Sequence, residues 1–119
     1  MTDKIKAFKK KLDRLVQQVY TPGKRCLVCG NPAHCVHHYI RKSQSLWLRW
    51  SEKNLIPICS HCHTLHHRAG DPRIHQQIVR KKGNKWADML EAERRIILKV
   101  NMANLQVIYD ELMEVKNGI

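Results

Sequence analysis

The chain has 119 residues, with 22 Lys plus Arg against 10 Asp plus Glu and a formal net charge of +12 with histidine neutral. That length fits a single domain over residues 1–119, and an aromatic content of 6% leaves a mainly aliphatic core that a structural metal would help to keep shut. The positive excess favours a polyanionic partner, DNA or other nucleic acid before an acidic membrane. No segment is apolar enough to span a bilayer. The opening MTDKIKAFKKK lacks the apolar run of a signal peptide, so the expected compartment is a reducing bacterial cytosol.

In chain order, Ile5, Phe8, Leu12, Leu15, Val16 and Val19 recur at helical spacing. They predict a helix over about Asp3–Tyr20, capped by Thr2 and ended by Thr21-Pro22-Gly23. Its outer face carries Lys4, Lys6, Lys9, Lys10, Lys11 and Arg14, which is either a solvated face or a DNA contact. A compact core follows over about 24–70. Cys29-Gly30-Asn31-Pro32 reads as a tight turn, His37 to Ile40 as a short strand, and Leu55 to Ile58 as a second strand that Pro57 makes an edge or a bent one. Arg41 to Lys53 is a polar and aromatic loop in which Trp47 and Trp50 either pack over the core or stack on a displaced base. A helix is expected from Ser60 to about Ala69, closed by Gly70. Asp71 caps the next, with Pro72 at its first position, running to about Lys82 and stopping at Gly83. Asn84 caps a final apolar-striped segment of Trp86, Leu90, Ile97, Val100, Leu105, Ile108, Leu112 and Val115. It is either one long helix or two with a break near Asn101–Asn104. The helical region covers about 72–116 and offers a face for a homodimer.

The chemistry lies in the middle. In a reducing compartment Cys-x-x-Cys pairs read as metal ligands. Cys26, Cys29, Cys59 and Cys62 have the spacing of a four-thiolate Zn²⁺ site, closed and therefore structural. Cys35 is left over and reads as a small buried hydrophobe. His37 and His38 are neighbours, so on a strand they point to opposite faces and do different jobs. His63 shares a helical face with either His66 or His67. One strand histidine and two helix histidines make a three-ligand site with room for water and substrate.

Cys26-x-x-Cys29-Gly30, His37-His38, Asn54-Leu55-Ile56-Pro57 and Cys59-x-x-Cys62-His63 together resemble the HNH endonuclease motif of the ββα-metal (His-Me finger) superfamily over residues 26–67. More loosely, the surroundings resemble small bacteriophage HNH proteins, the NinG/Rap recombination nucleases among them. The resemblance implies an α+β, mostly helical fold, with a ββα-metal core stapled by the four-Cys zinc and flanked by N- and C-terminal helices. It implies that His38 is the general base, that Asn54 braces the loop orienting it, and that His37 and His63 hold a catalytic divalent metal. His67 fits the further ligand, with His66 as the alternative. Mg²⁺ or Mn²⁺ would serve, as would Ni²⁺ or Zn²⁺. The implied activity is metal-dependent DNA cleavage giving 5′-phosphate and 3′-hydroxyl ends. Arg41, Arg49 and Arg68 flank the site as candidate phosphate contacts. The alternative is a zinc-stabilised, non-catalytic DNA-binding module. A protein-interaction adaptor is a third reading, but the net charge gives it no support.

Overall fold

The computed structural model describes residues 2–67 and 72–118, apart from the side chain of His67. Helix α1 spans Asp3–Tyr20, and the Thr2 hydroxyl accepts from the Ile5 N–H at 3.3 Å. Strand β1, Cys35–His38, pairs antiparallel with β2, Leu55–Ile58, with His37 opposite Ile56 and His38 opposite Leu55. Between them lie α2, Leu46–Arg49, and a short 3-10 turn, Glu52–Asn54. Then come α3, Ser60–His67; α4, Pro72–Lys82; α5, Asn84–Glu93; and α6, Met102–Lys116. The fold is α+β and mostly helical, with one small sheet. Among the described residues, no helix is long and apolar enough to cross a membrane.

Local chemistry moves several predicted boundaries. β1 ends at His38 because the Tyr39 N–H turns to the Asn54 carbonyl and the Ile40 N–H to the Asn54 side chain. The segment expected as plain loop holds α2, started by the Ser45 hydroxyl accepting from the Leu48 N–H at 3.0 Å. Asn84 is the first residue of α5 and not its cap; Gly83, at φ +97°, makes the corner between α4 and α5. The final segment is two helices, and Asn101 caps α6 by accepting from the Asn104 N–H at 2.8 Å. Ala69, Gly70 and Asp71, expected to end one helix and begin the next, lie outside the described residues.

The main core joins Leu12, Leu15 and Val16 of α1 to Val36, Trp50, Leu55, Leu105 and Leu112. The α6 stripe thus turns Leu105 and Leu112 against α1, while Val107 and Val115 remain exposed. A second cluster gathers Ile56, Ile58, Ile74 and Ile78 around the cysteine knuckles.

Gln17 completes the sheet. Its amide oxygen accepts from the Val36 N–H at 2.8 Å and its amide nitrogen donates to the Val36 carbonyl at 3.0 Å. Val36 faces Pro57 in the register. Because Val36 directs its polar groups to Gln17, the missing N–H of Pro57 breaks no rung of the ladder. Gln17→Ala would strand both Val36 groups, and we expect it to lower unfolding free energy by about 1–3 kcal/mol in a denaturant titration.

Candidate active site

The first knuckle is held by its own backbone. Gly30, at φ +81°, donates to the Cys26 carbonyl at 2.9 Å, and Cys26 donates to the Asn31 carbonyl at 2.6 Å. The second sits at the head of α3, where the Cys62 N–H points at the Cys59 sulfur at 3.4 Å. All four sulfurs lie within 4.8 Å of one another, Cys29 and Cys59 at 3.6 Å. A tetrahedral ion with bonds of about 2.3 Å sets its sulfurs about 3.8 Å apart. The cluster therefore fits a structural metal such as zinc and leaves no open position. Burial opposes ionisation of Cys26, but N–H groups of Cys29, Cys59 and Val28 bring its thiol down to about 7. Burial and the neighbouring sulfurs push Cys62 up. A cation at the centre is what allows several thiolates to coexist there.

Strand geometry separates the two adjacent histidines. His37, 7% exposed, faces α3, with its ring centroid 5.5 Å from His63 and 4.8 Å from His66, both edge-on. Cys35 shares that face; it is half-buried, and its sulfur lies 3.6 Å from His63 Nδ1. It packs against the second core cluster as a partly buried side chain and is at the same time a neighbour of the imidazoles. Among the described residues, the four cysteines are the one group of metal-ligating side chains whose donor atoms all lie within 4.8 Å. His37, His63 and His66 are not part of such a group, although their rings are neighbours. The His67 side chain and all of Arg68 lie outside the described residues.

His38 points the other way, and its Nε2 meets the Arg49 carbonyl at 2.8 Å. A carbonyl only accepts, so the proton sits on Nε2 and Nδ1 is the basic nitrogen. Burial holds the His38 pKa below its ordinary value, with the hydrogen bond to Arg49 opposing and the charge on Lys42 assisting. The imidazole is therefore neutral near pH 7. His37, His38, His63, His66 and Arg41 all border one cleft of about 970 Å³.

What fixes His38 is a chain of contacts behind it. Asn54 is fully buried; its oxygen accepts from the Ile40 N–H at 2.7 Å, and its nitrogen donates to the carbonyls of Ile40 at 3.0 Å and Leu48 at 3.2 Å. Leu48 precedes the residue whose carbonyl holds His38. Arg49 is in turn clamped by Asp13, with Nε 2.9 Å from one carboxylate oxygen and a terminal nitrogen 2.6 Å from the other. Trp50 donates to the same carboxylate at 2.9 Å and is itself buried in the core. Burial would raise the Asp13 pKa, but its bonds to Arg49 and Trp50 bring it below the usual value. The Arg49 guanidinium is thus engaged within the protein, whereas Arg41 is exposed at the cleft. Trp47 is 42% exposed and donates to Glu93 at 3.1 Å.

The motif reading did not single out Asp13 or Gln17. Asp13 had one visible signal, as the one acid of α1 beyond its first turn, next to Arg14 and close to Lys9, Lys10 and Lys11.

The antiparallel strand pair, the helix that follows it, the four-thiolate cluster at that helix's head and the imidazoles at the cleft lie within one segment of the chain. Residues 26–69 match the family model of HNH endonucleases, which associates this segment with nucleases acting on DNA and binding metal. No curated protein and no solved structure gives a significant match.

Asn54→Ala leaves the Ile40 and Leu48 groups buried without partners. We expect a loss of about 2–4 kcal/mol by denaturant titration, with Asn54→Asp also destabilised because it cannot donate. Cys62→Ser should lower the zinc content measured by atomic emission and reduce the melting temperature; an unchanged melting temperature would show that the four-thiolate site does not support the fold.

Proposed function

We propose that this chain is a metal-dependent endonuclease that hydrolyses phosphodiester bonds in DNA. The observation that carries this reading is His38: a half-buried, neutral imidazole, held as the Nε2–H tautomer by the Arg49 carbonyl, beside an imidazole cluster on the same cleft.

In this mechanism Nδ1 of His38 takes the proton from a water molecule as its oxygen bonds to phosphorus. The bond from phosphorus to the 3′ oxygen breaks, and that oxygen takes up a proton, leaving 3′-hydroxyl and 5′-phosphate ends. His37 and His63, with His67 as third ligand and His66 as the alternative, are the residues proposed to hold a divalent cation. Bound there, the cation supplies charge neutralisation at the phosphate and at the departing oxygen. The donor set accepts Mg²⁺, Mn²⁺, Ni²⁺ or Zn²⁺. Asn54 and the Asp13–Arg49 pair keep the Arg49 carbonyl, and so His38, in position. Arg41, exposed at the cleft, is proposed as a phosphate contact, and so is Arg68. The role of Arg49 is proposed to run through its carbonyl, because its guanidinium is committed to Asp13.

Among the described residues the metal-ligating group is the four cysteines, which favours a second reading, a zinc-stabilised module that binds DNA without cutting it. A plasmid assay in Mg²⁺ and in Mn²⁺ separates the two. The native chain should nick or linearise the plasmid, and His38→Ala should cut at least about a hundredfold more slowly while keeping its zinc and its DNA affinity. If neither protein cuts although both bind, the non-catalytic module is correct.

A further inference from the structure

The basic outer face of α1 is not used by the site described above, yet it runs straight into it. At 100° per residue, Lys6, Lys10, Asp13 and Gln17 fall in one row along α1, with Arg14 beside Lys10. The end of this row is fixed, because Gln17 is bonded to Val36 of the histidine-bearing strand and borders the cleft. Lys42 stands on the same cleft wall, and its charge acts on both Asp13 and His38.

The acid in the row does not interrupt it. Asp13 is closed off by Arg49 and Trp50, so its charge is neutralised inward. Lys6, Lys10, Arg14 and Lys42 are exposed, and among the described residues none of them pairs with a carboxylate. Lys11, by contrast, lies over the Phe8 and Tyr109 rings at 5.9 and 4.8 Å, on the side of α6. Glu91 is the carboxylate that borders the cleft itself.

We propose that Lys42, Arg14, Lys10 and Lys6 form a track for the sugar-phosphate backbone of the DNA strand leaving the cleft past Gln17. The inference rests on the nuclease reading for the identity of the polyanion. From Gln17 to Lys6 the helix advances about 16 Å at about 1.5 Å per residue. That spans about five nucleotide steps at about 3.4 Å per step along one strand. Contacts of this kind carry no base information, so the track sets position and affinity, not sequence choice. It also makes the substrate lopsided: DNA must continue on the α1 side of the cut.

The test compares two charge-matched variants of the full, zinc-loaded chain. One is Lys6→Gln/Lys10→Gln/Arg14→Gln. The other is Lys85→Gln/Arg95→Gln/Lys99→Gln, at exposed basic positions on α5 and the segment after it. Affinity for a labelled duplex is measured by anisotropy without added catalytic ion, over a range of salt. The α1 variant should lose about 2 to 3 from the slope of log affinity against log salt. It should weaken about tenfold in affinity and keep its melting temperature. The control should change much less. Equal effects in the two variants, or an unchanged slope in the α1 variant, would overturn the track. Because binding is read without cleavage, a chain that binds through α1 but never cuts would sink the nuclease reading and leave the track standing.

Discussion

The buried amide of Asn54 joins the end of β1, α2 and the start of β2 through one side chain. Three hydrogen bonds from one side chain tie the end of β1 to α2, and its own carbonyl takes the Tyr39 N–H. Such an amide is costly to bury unless every partner is present, so the loop between the strands has one permitted arrangement. The carbonyl of Arg49 follows directly from that arrangement, and the orientation of His38 follows from the carbonyl. Asp13 holds the same residue from the opposite side, through its guanidinium. The His38 imidazole is thus positioned by groups that do not border the cleft themselves.

Charge is distributed with the same economy. The chain is strongly basic as a whole, yet the acids that matter most are placed inward. Asp13 receives Arg49 and Trp50 in the shelter of α1, and Glu93 receives Lys53 and Trp47 between α2 and α5. Each satisfies donors that would otherwise compete for an incoming phosphate. Pairs of this kind add little stability when exposed, but half-buried and bidentate they fix geometry. Among the described residues, Lys6, Lys10, Arg14 and Lys42 have no carboxylate partner of this kind.

Much of this was legible in the sequence because the signals were local. Cys-x-x-Cys spacing brought the four sulfurs together, and the alternation of a strand placed His37 and His38 on opposite faces. The α1 periodicity and the Thr2 cap gave the first helix to the residue. What the sequence did not reveal depends on contacts between distant segments. Nothing near Arg49 marks Asp13 as its partner, so a guanidinium that reads as a phosphate contact is folded inward. Cys35 reads as a hydrophobe until α3 sets His63 against it. The one-turn α2 is too short for periodicity to register, and its existence depends on the Ser45 cap and on Asn54. The break before Asn101 is visible only as a run in which Ile97 faces solvent.

The arrangement around Gln17 has a consequence for the sheet as a whole. A two-stranded sheet has two open edges, and each is a template for a passing chain. Here β1 presents Val36 to a glutamine that imitates a neighbouring strand. On the far side, Pro57 of β2 gives its carbonyl to the N–H of Leu27. Each flank of the hairpin that carries the histidines is therefore covered at one residue near its middle. With Val36 and Pro57 both engaged, the described hairpin offers a passing chain no unbroken edge on either side.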